Sequence, residues 1–254
     1  MNQIDKLFSK KQGKILSVYF TAGFPELNDT AEIIRSLNKN GIDMIEIGMP
    51  FSDPMADGPV IRESSNRAIK NGMTLKLLFS QLAGVKDISI PKILMGYFNH
   101  VLQYGVEHFC RSCAENNISG VILPDLPIAY FEKHYRPIFE EYGIHNIMLV
   151  APETPTERIH EIDKNGSGFL YLVSTRGVTG TTAGFGSEHY LLQSIASMGL
   201  RLPLMMGFGI RDKAGFDSAC RYARGGIIGT AFINALKETG TNGEKVARFV
   251  SNFR

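Results

Sequence analysis

Residues 15–48, ILSVYFTAGFPELNDTAEIIRSLNKNGIDMIEIG, contain a complete strand–helix–strand unit and decide the fold class. Two apolar runs, ILSVYFTA and IDMIEIG, flank the helical segment TAEIIRSLNKNG. In that segment Ile33, Ile34 and Leu37 form one apolar stripe, and Gly41 supplies the stop. The apolar runs are continuous rather than alternating, which is typical of strands covered on both faces. The unit therefore predicts two parallel strands joined by a helix.

The same pattern recurs along the rest of the chain. Further apolar runs begin near residues 92, 120, 144, 168, 203 and 225, which gives eight strand–helix units in all. Eight such units in about 250 residues match a closed (β/α)8 TIM barrel. Ile4, Leu7 and Phe8 share one face and predict an extra N-terminal helix. No linker or shift in composition marks a second domain, so we predict a single barrel domain over residues 1–254.

A doubly wound open sheet is the alternative fold. It usually carries a glycine-rich dinucleotide turn after its first strand. The segment FTAGFPELND has no G-x-G-x-x-G, and GFGIRD (207–212) has only the first two of those glycines. The barrel is therefore favoured.

Composition excludes several classes of protein. The formal net charge is +2, and no block of like charge marks a nucleic-acid arm or a membrane-binding face. The sequence starts without the apolar core of a signal peptide and has no run long enough to cross a membrane, so we expect a cytoplasmic protein. CRSC (110–113) lies inside a helical stretch, which favours helix packing over redox chemistry. The six histidines are scattered, so no metal site is predicted.

Two carboxylates stand where a barrel places its chemistry, at the carboxyl ends of the strands. Glu46 lies near the end of the second strand, with no Lys or Arg beside it in that strand. It either points into the barrel mouth or pairs with a helix, and its position favours the mouth. Asp57 in ADGP, like Asp53 before Pro54, also fits simple turn chemistry. A Mg²⁺ site is not predicted, because DPMADGP lacks the spacing of a cation loop.

Glycine-rich segments follow the last three strands. STRGVTGTTAGFG (174–186) follows the sixth, GFG (207–209) ends the seventh, and GGIIGTA (225–231) runs into a helix beginning near Thr230. Glycines beside a helix N-terminus after the last strands form the usual barrel site for phosphate. These loops therefore predict an anionic anchor across the mouth from the carboxylates.

Five residues near strand ends, most of them aromatic or apolar, lie between these two poles. They are Tyr19, Tyr97, Leu123, Asp125 and Tyr171. Such walls suit a flat apolar ligand, from which Asp125 accepts a hydrogen bond. The predicted substrate is a phosphate ester, and the carboxylates suit proton transfer at its other end.

Six segments resemble the α subunit of tryptophan synthase in order and spacing. They are IEIGMPFSDPMADGP (45–59), MGYFN (95–99), PDLP (124–127), LVSTRGVTG (172–180), GFGI (207–210) and IIGTA (227–231). The resemblance covers nearly the whole chain. It implies retro-aldol cleavage of indole-3-glycerol phosphate to indole and glyceraldehyde 3-phosphate. Glu46 falls on the family's general acid/base, and Asp57 on the carboxylate that binds the indole N–H and stabilises the charge developing on the ring.

The resemblance also assigns the remaining site residues. Tyr97, Asp125 and Tyr171 fall on substrate-pocket positions beside Tyr19, and Thr179 on the loop threonine that orders Asp57. The phosphate cradle falls on Gly180, Phe208, Gly209, Gly229 and Thr230.

A partner is implied as well. The family's α subunit joins a β subunit in an α2β2 heterotetramer, and Pro50 and Asp53 would lie at the contact. No cofactor is expected on this chain, because pyridoxal phosphate (PLP) belongs to the β subunit. Thr230 replaces the family's commoner serine, and TTAGFGSE (181–188) lacks the arginine usually found after GVTG.

Two other readings remain as alternatives. A phosphate-binding barrel enzyme of another kind would be expected to show a catalytic Lys or Cys at a strand end. A non-catalytic barrel subunit that binds phosphate and activates a partner would not need Glu46 and Asp57 intact.

Overall fold

The computed structural model describes residues 1–54, 57–173, 185–207 and 209–253, with the backbone alone for residues 185–189. Within these residues the chain forms eight strands and thirteen helices. The strands are β1 (Ile15–Thr21), β2 (Met44–Gly48), β3 (Lys92–Met95), β4 (Ile118–Ile122), β5 (His145–Val150), β6 (Leu170–Val173), β7 (Leu204–Gly207) and β8 (Gly225–Ile228). The helices are α1 (Gln3–Lys10), α2 (Thr30–Lys39), α3 (Pro59–Lys70), α4 (Leu75–Ala83), α5 (Phe98–Tyr104), α6 (Val106–Glu115), α7 (Ile128–His134), α8 (Arg136–Glu141), α9 (Thr156–Asn165), α10 (Phe185–Ala196), α11 (Lys213–Ala219), α12 (Thr230–Leu236) and α13 (Asn242–Ser251).

The strands form a closed parallel barrel in chain order. Each strand pairs with the next, and β8 returns to β1 with Ile15 beside Gly225. This closure confirms the predicted TIM barrel and rules out the open sheet. The predicted N-terminal helix is α1, which precedes β1.

The first unit shows why the sequence folds this way. All seven residues of β1 and all five of β2 are buried, as continuous apolar runs predict. In α2 the stripe of Ile33, Ile34 and Leu37 is fully buried. Gly41 adopts φ +74°, a conformation that favours glycine, just after α2 ends.

Helix α1 packs at the amino-terminal end of the barrel. Asn2 caps it by accepting a hydrogen bond from the Ile4 N–H at 2.8 Å. The Asn2 amide also donates to the carbonyls of Ser119, at 2.7 Å, and Gly143, at 2.9 Å. Both carbonyls lie beside the starts of β4 and β5, and the Ile4 side chain is fully buried. The opposite end, where barrel enzymes keep their chemistry, is not covered by α1.

The cysteines of CRSC pack inside a helix, as predicted. Cys110 and Cys113 are buried on α6, and burial raises the pKa of the Cys110 thiol to about 12. Among the described residues no three His, Cys, Asp or Glu side chains are grouped as a metal ion would need. No helix in the described part of the chain is long and apolar enough to cross a membrane.

Candidate active site

The side chain of Glu46 lies on the inner face of the barrel. In the parallel pairing of β1 and β2, Glu46 stands beside Tyr19, which lines the cavity in the barrel mouth. Neighbours in register project to the same face of a sheet. Gly48, two residues further along β2, shares that face, and the Tyr19 hydroxyl occupies the space that a β-carbon of residue 48 would need. The inward orientation agrees with the sequence prediction.

Glu46 is a buried carboxyl without a partner. It has no solvent exposure, and neither carboxyl oxygen has a hydrogen-bond partner among the described residues. Burial raises its pKa from 4.5 to about 8. A buried carboxylate without a partner is very costly, so the group holds a proton at neutral pH. Chemically, it is equipped to donate that proton.

Asp57 occupies a more polar position at the cavity wall. Its backbone N–H donates to the Pro54 carbonyl at 3.4 Å, and the residue lies two positions before α3 begins at Pro59. The Tyr97 hydroxyl donates to Asp57 Oδ2 at 3.4 Å. Burial raises the Asp57 pKa to about 6, while this hydrogen bond and the charge of Arg62 act in the opposite direction. Asp57 is therefore largely ionised at neutral pH, in contrast to Glu46.

A cavity of about 670 Å³, including its open mouth, occupies the carboxyl end of the barrel. Ile61, Met95, Ile210 and Ile227 give it apolar walls. It brings together six residues that the sequence predicted for the site: Tyr19, Asp57, Tyr171, Gly209, Gly229 and Thr230. Glu46 is not among the described residues that line it. Glu46 lies close enough for its charge to raise the pKa of both Tyr19 and Tyr171, although burial is the larger cause for each.

Tyr171 reaches the cavity because a glycine stands beside it. A β-carbon on Gly207, at the end of β7, would collide with the Tyr171 ring and hydroxyl. The Tyr171 side chain is buried, and this burial raises its pKa well above the usual value. The phenol therefore stays protonated at neutral pH.

The predicted phosphate residues that the structure describes lie together on the cavity. Gly209 turns the chain after β7 with φ +76°, and Gly229 stands directly before α12, which begins at Thr230. Gly180 and Phe208, which were predicted for the same cradle, and Thr179, which was predicted to order Asp57, lie outside the described residues.

Four further predicted residues do not line this cavity. Asp125 is exposed, does not line the cavity, and accepts the Phe98 N–H through Oδ1 at 2.8 Å and Oδ2 at 3.0 Å. Tyr97 contacts Asp57 instead of lining the cavity itself. Pro50 is buried, whereas Asp53, its predicted companion at a partner interface, is exposed.

Sequence reasoning missed two residues near the site. Arg211 lines the cavity beside the predicted phosphate residues. It directly follows the segment GFGI (207–210), so its position after β7 was a signal available in the sequence. Phe51 stacks on Tyr97, with ring centroids 5.2 Å apart and planes 25° apart. No pattern in the sequence indicates that contact.

The closed barrel and the two carboxyl groups at its mouth define a class, that of (β/α)8-barrel enzymes. The family model for the tryptophan synthase alpha chain matches residues 6–253. The tryptophan synthase alpha chain of Flavobacterium johnsoniae is 49% identical over 256 residues, covering 100% of both chains. That of Phocaeicola vulgatus is 52% identical over 249 residues, covering 97% of this chain and 96% of its own. The crystal structure of tryptophan synthase subunit alpha from Legionella pneumophila superposes with a TM-score of 0.87 at 32% identity, covering 100% of this chain and 97% of that one.

The chain belongs to the tryptophan synthase alpha chain family. Its role is that of the alpha subunit in tryptophan biosynthesis, and the members of this family are lyases. The resemblance drawn from the sequence motifs is thereby confirmed.

Proposed function

We propose that this chain cleaves indole-3-glycerol phosphate to indole and glyceraldehyde 3-phosphate by a retro-aldol reaction. One observation carries the proposal. Glu46, buried, protonated and without a hydrogen-bond partner among the described residues, faces the inside of the barrel close to a cavity that the ionised Asp57 lines. Two carboxyl groups in opposite protonation states suit an acid and a charge-stabilising base.

The chemistry assigns one task to each carboxyl group. Glu46 protonates the indole ring carbon that bears the glycerol chain, and Asp57 accepts the indole N–H and stabilises the positive charge that develops on the ring. Breaking the carbon–carbon bond returns that bond's electrons to the ring. The same step converts the adjacent hydroxyl carbon of the chain to an aldehyde, and Glu46 assists removal of the hydroxyl proton.

The proposal requires one movement. Because Glu46 does not line the cavity, its carboxyl must turn upward past Tyr19 and Tyr171 when substrate is present. The Tyr171 hydroxyl, which stays protonated, is a suitable donor for the ionised form of Glu46. The phosphate end of the substrate lies against Gly209, Gly229 and Thr230, where backbone N–H groups and a hydroxyl can bind it.

We also propose that the chain works with a β subunit, in an α2β2 heterotetramer in the cytoplasm. Asp53 is exposed and free to meet that partner, and the buried Pro50 fixes the shape of the loop that presents it. PLP would be held by the β subunit. The carbon–carbon cleavage assigned to this chain is promoted by proton transfer and charge stabilisation, and it does not call on PLP.

The alternative of a non-catalytic activating subunit has less support. Leaving a carboxyl group buried without a partner costs stability, and a subunit that only binds would gain nothing from it. Such groups are concentrated at functional sites.

The direct test is release of indole from indole-3-glycerol phosphate by the purified chain, alone and with a β subunit. We expect indole in both cases, and a loss of about 10²-fold or more in Asp57→Asn. A chain that raises the rate of the β subunit yet releases no indole under either condition would support the non-catalytic alternative instead.

A further inference from the structure

We propose that the guanidinium group of Arg211 binds the phosphate of the substrate and sets the preference of the site for a dianion. This inference rests on the proposed function, since it takes the substrate to be a phosphate ester. It adds a charged side chain to a site so far built from glycines and one threonine.

Position is the first argument. Arg211 lines the cavity together with Gly209, Gly229 and Thr230, the described residues expected to hold the phosphate. Asp57, at the other pole, comes from the loop after β2, while Arg211 comes from the loop after β7.

The polarity of the cavity is the second argument. Among the described residues that line it, Asp57 and Arg211 are the ones that carry charge, and their charges are opposite. Such a cavity fits a molecule with an N–H donor at one end and an anion at the other. Guanidinium groups bind phosphate oxygens in pairs, through parallel N–H bonds.

The availability of the charge is the third argument. In the described part of the chain no carboxylate lies within ion-pair distance of Arg211. Its neighbour Asp212 is engaged in capping α11, where Oδ1 accepts the Gly215 N–H at 2.8 Å. Glu238, which borders an outer groove with Arg211, pairs with Arg248 at 3.6 Å. Among the described residues the guanidinium is therefore not paired with a carboxylate.

The competing interpretation is that Arg211 is a solvated surface residue. It is exposed, and exposed cations often contribute nothing specific. The two interpretations differ in one measurable respect, which is the affinity for inorganic phosphate and for phosphorylated substrate.

The test compares Arg211→Gln and Arg211→Lys with the wild type. We expect Arg211→Gln to raise KM for indole-3-glycerol phosphate about tenfold with a much smaller change in kcat, because the interaction is the same in the ground and transition states. Arg211→Lys keeps the positive charge, so its KM should lie between those of the wild type and Arg211→Gln. The matched control is Arg221→Gln, which removes the same charge from the exposed turn before β8, at the opposite end of the barrel.

Inorganic phosphate, titrated into each protein by calorimetry, provides a readout that does not depend on turnover. The wild type should bind it about tenfold more tightly than Arg211→Gln, and the gap should widen from pH 5 to pH 7 as phosphate becomes a dianion. Equal binding by the two proteins, or no binding by the wild type, would overturn the assignment of Arg211. Failure of the wild type to release indole would instead overturn the proposed reaction.

Discussion

At the scale of single residues, Glu46 and Asp57 differ in protonation because they differ in surroundings. Both pKa values are raised mainly by burial, yet Glu46 finds no polar partner in the described structure while Asp57 has the Tyr97 hydroxyl and the charge of Arg62. The consequence is an acid and a base near neutral pH, built from two carboxyl groups in consecutive segments of the chain.

Glu46→Gln should remove a pH-dependent loss of stability. Since the Glu46 pKa is about 8 in the folded chain and 4.5 ordinarily, the unfolded chain ionises first. Wild-type stability attributable to this group is therefore full below about pH 4.5 and falls as pH rises to about 8. Urea unfolding at pH 5 and pH 8 should show that the free energy of unfolding of the wild type falls, relative to that of the variant, by about 3.5 kcal/mol between these two pH values. A difference that is the same at both pH values would contradict the burial argument.

The pH profile of kcat/KM should be bell-shaped, with limbs near pH 6 and pH 8. The acid limb reports the ionisation of Asp57, whose pKa is about 6, and the basic limb reports loss of the Glu46 proton. Tyr97→Phe removes a hydrogen bond that lowers the Asp57 pKa, so it should move the acid limb to higher pH. The substrate phosphate also titrates near pH 6. Any acid limb that persists in Asp57→Asn therefore reports the titration of the phosphate. An acid limb at the same pH in Tyr97→Phe and the wild type would show that this limb does not report the ionisation of Asp57.

At the scale of elements, two strand-end glycines make room for tyrosines on the neighbouring strands. Gly48 of β2 accommodates the Tyr19 hydroxyl of β1, and Gly207 of β7 accommodates Tyr171 of β6. The sequence pattern predicted that the glycines after strand seven serve phosphate binding. For Gly207 the structure gives a different reason, namely the close approach of an aromatic ring. A pattern of glycines cannot distinguish a phosphate cradle from space for a side chain, because both require a missing β-carbon.

Gly207→Ala should destabilise the barrel and lower activity together. The added β-carbon would meet the ring and hydroxyl of Tyr171, and such overpacking costs about 1–3 kcal/mol. Gly84→Ala is the matched control, since its β-carbon meets only ordinary contacts and its φ of −74° suits alanine. Thermal unfolding should therefore show a clear loss for residue 207 and no loss for residue 84. Equal melting temperatures for the two variants would show that Tyr171 is not confined as described.

Asn2→Ala should destabilise α1, at the amino-terminal end of the barrel, without affecting substrate affinity. It removes the cap of α1 and the bonds to the carbonyls of Ser119 and Gly143, which together are worth about 1–2 kcal/mol. Asn2→Ser keeps a side-chain acceptor for the Ile4 N–H and should lose less. Urea unfolding measures both changes. A raised KM in either variant would indicate that the two ends of the barrel are coupled.

At the scale of the whole molecule, the fold was predictable because its signal is repeated. Most strands are largely apolar and many of the helices have an apolar stripe, so one unit, residues 15–48, already shows the pattern. The rule that chemistry lies at the carboxyl ends of strands then located most of the residues that line the cavity. The extent of the domain, residues 1–254, stays a prediction.

The rest of the site depends on contacts that no periodicity reports. The capping of α5 by Asp125, the burial of Pro50 and the place of Arg211 on the cavity wall follow from which segments meet in space. The two predicted residues of the loop after β6, Thr179 and Gly180, lie outside the described structure and remain predictions.

The role of Glu46 as the acid is decided by the turnover of indole-3-glycerol phosphate in Glu46→Gln. Glutamine keeps the size of the side chain but cannot transfer the proton, so we expect a folded variant whose kcat falls by about 10²–10⁴-fold. Thermal unfolding establishes that the variant is folded, and binding of inorganic phosphate establishes that the cavity is intact. A folded Glu46→Gln that cleaves the substrate at the wild-type rate would contradict the assignment of Glu46 as the acid of this barrel.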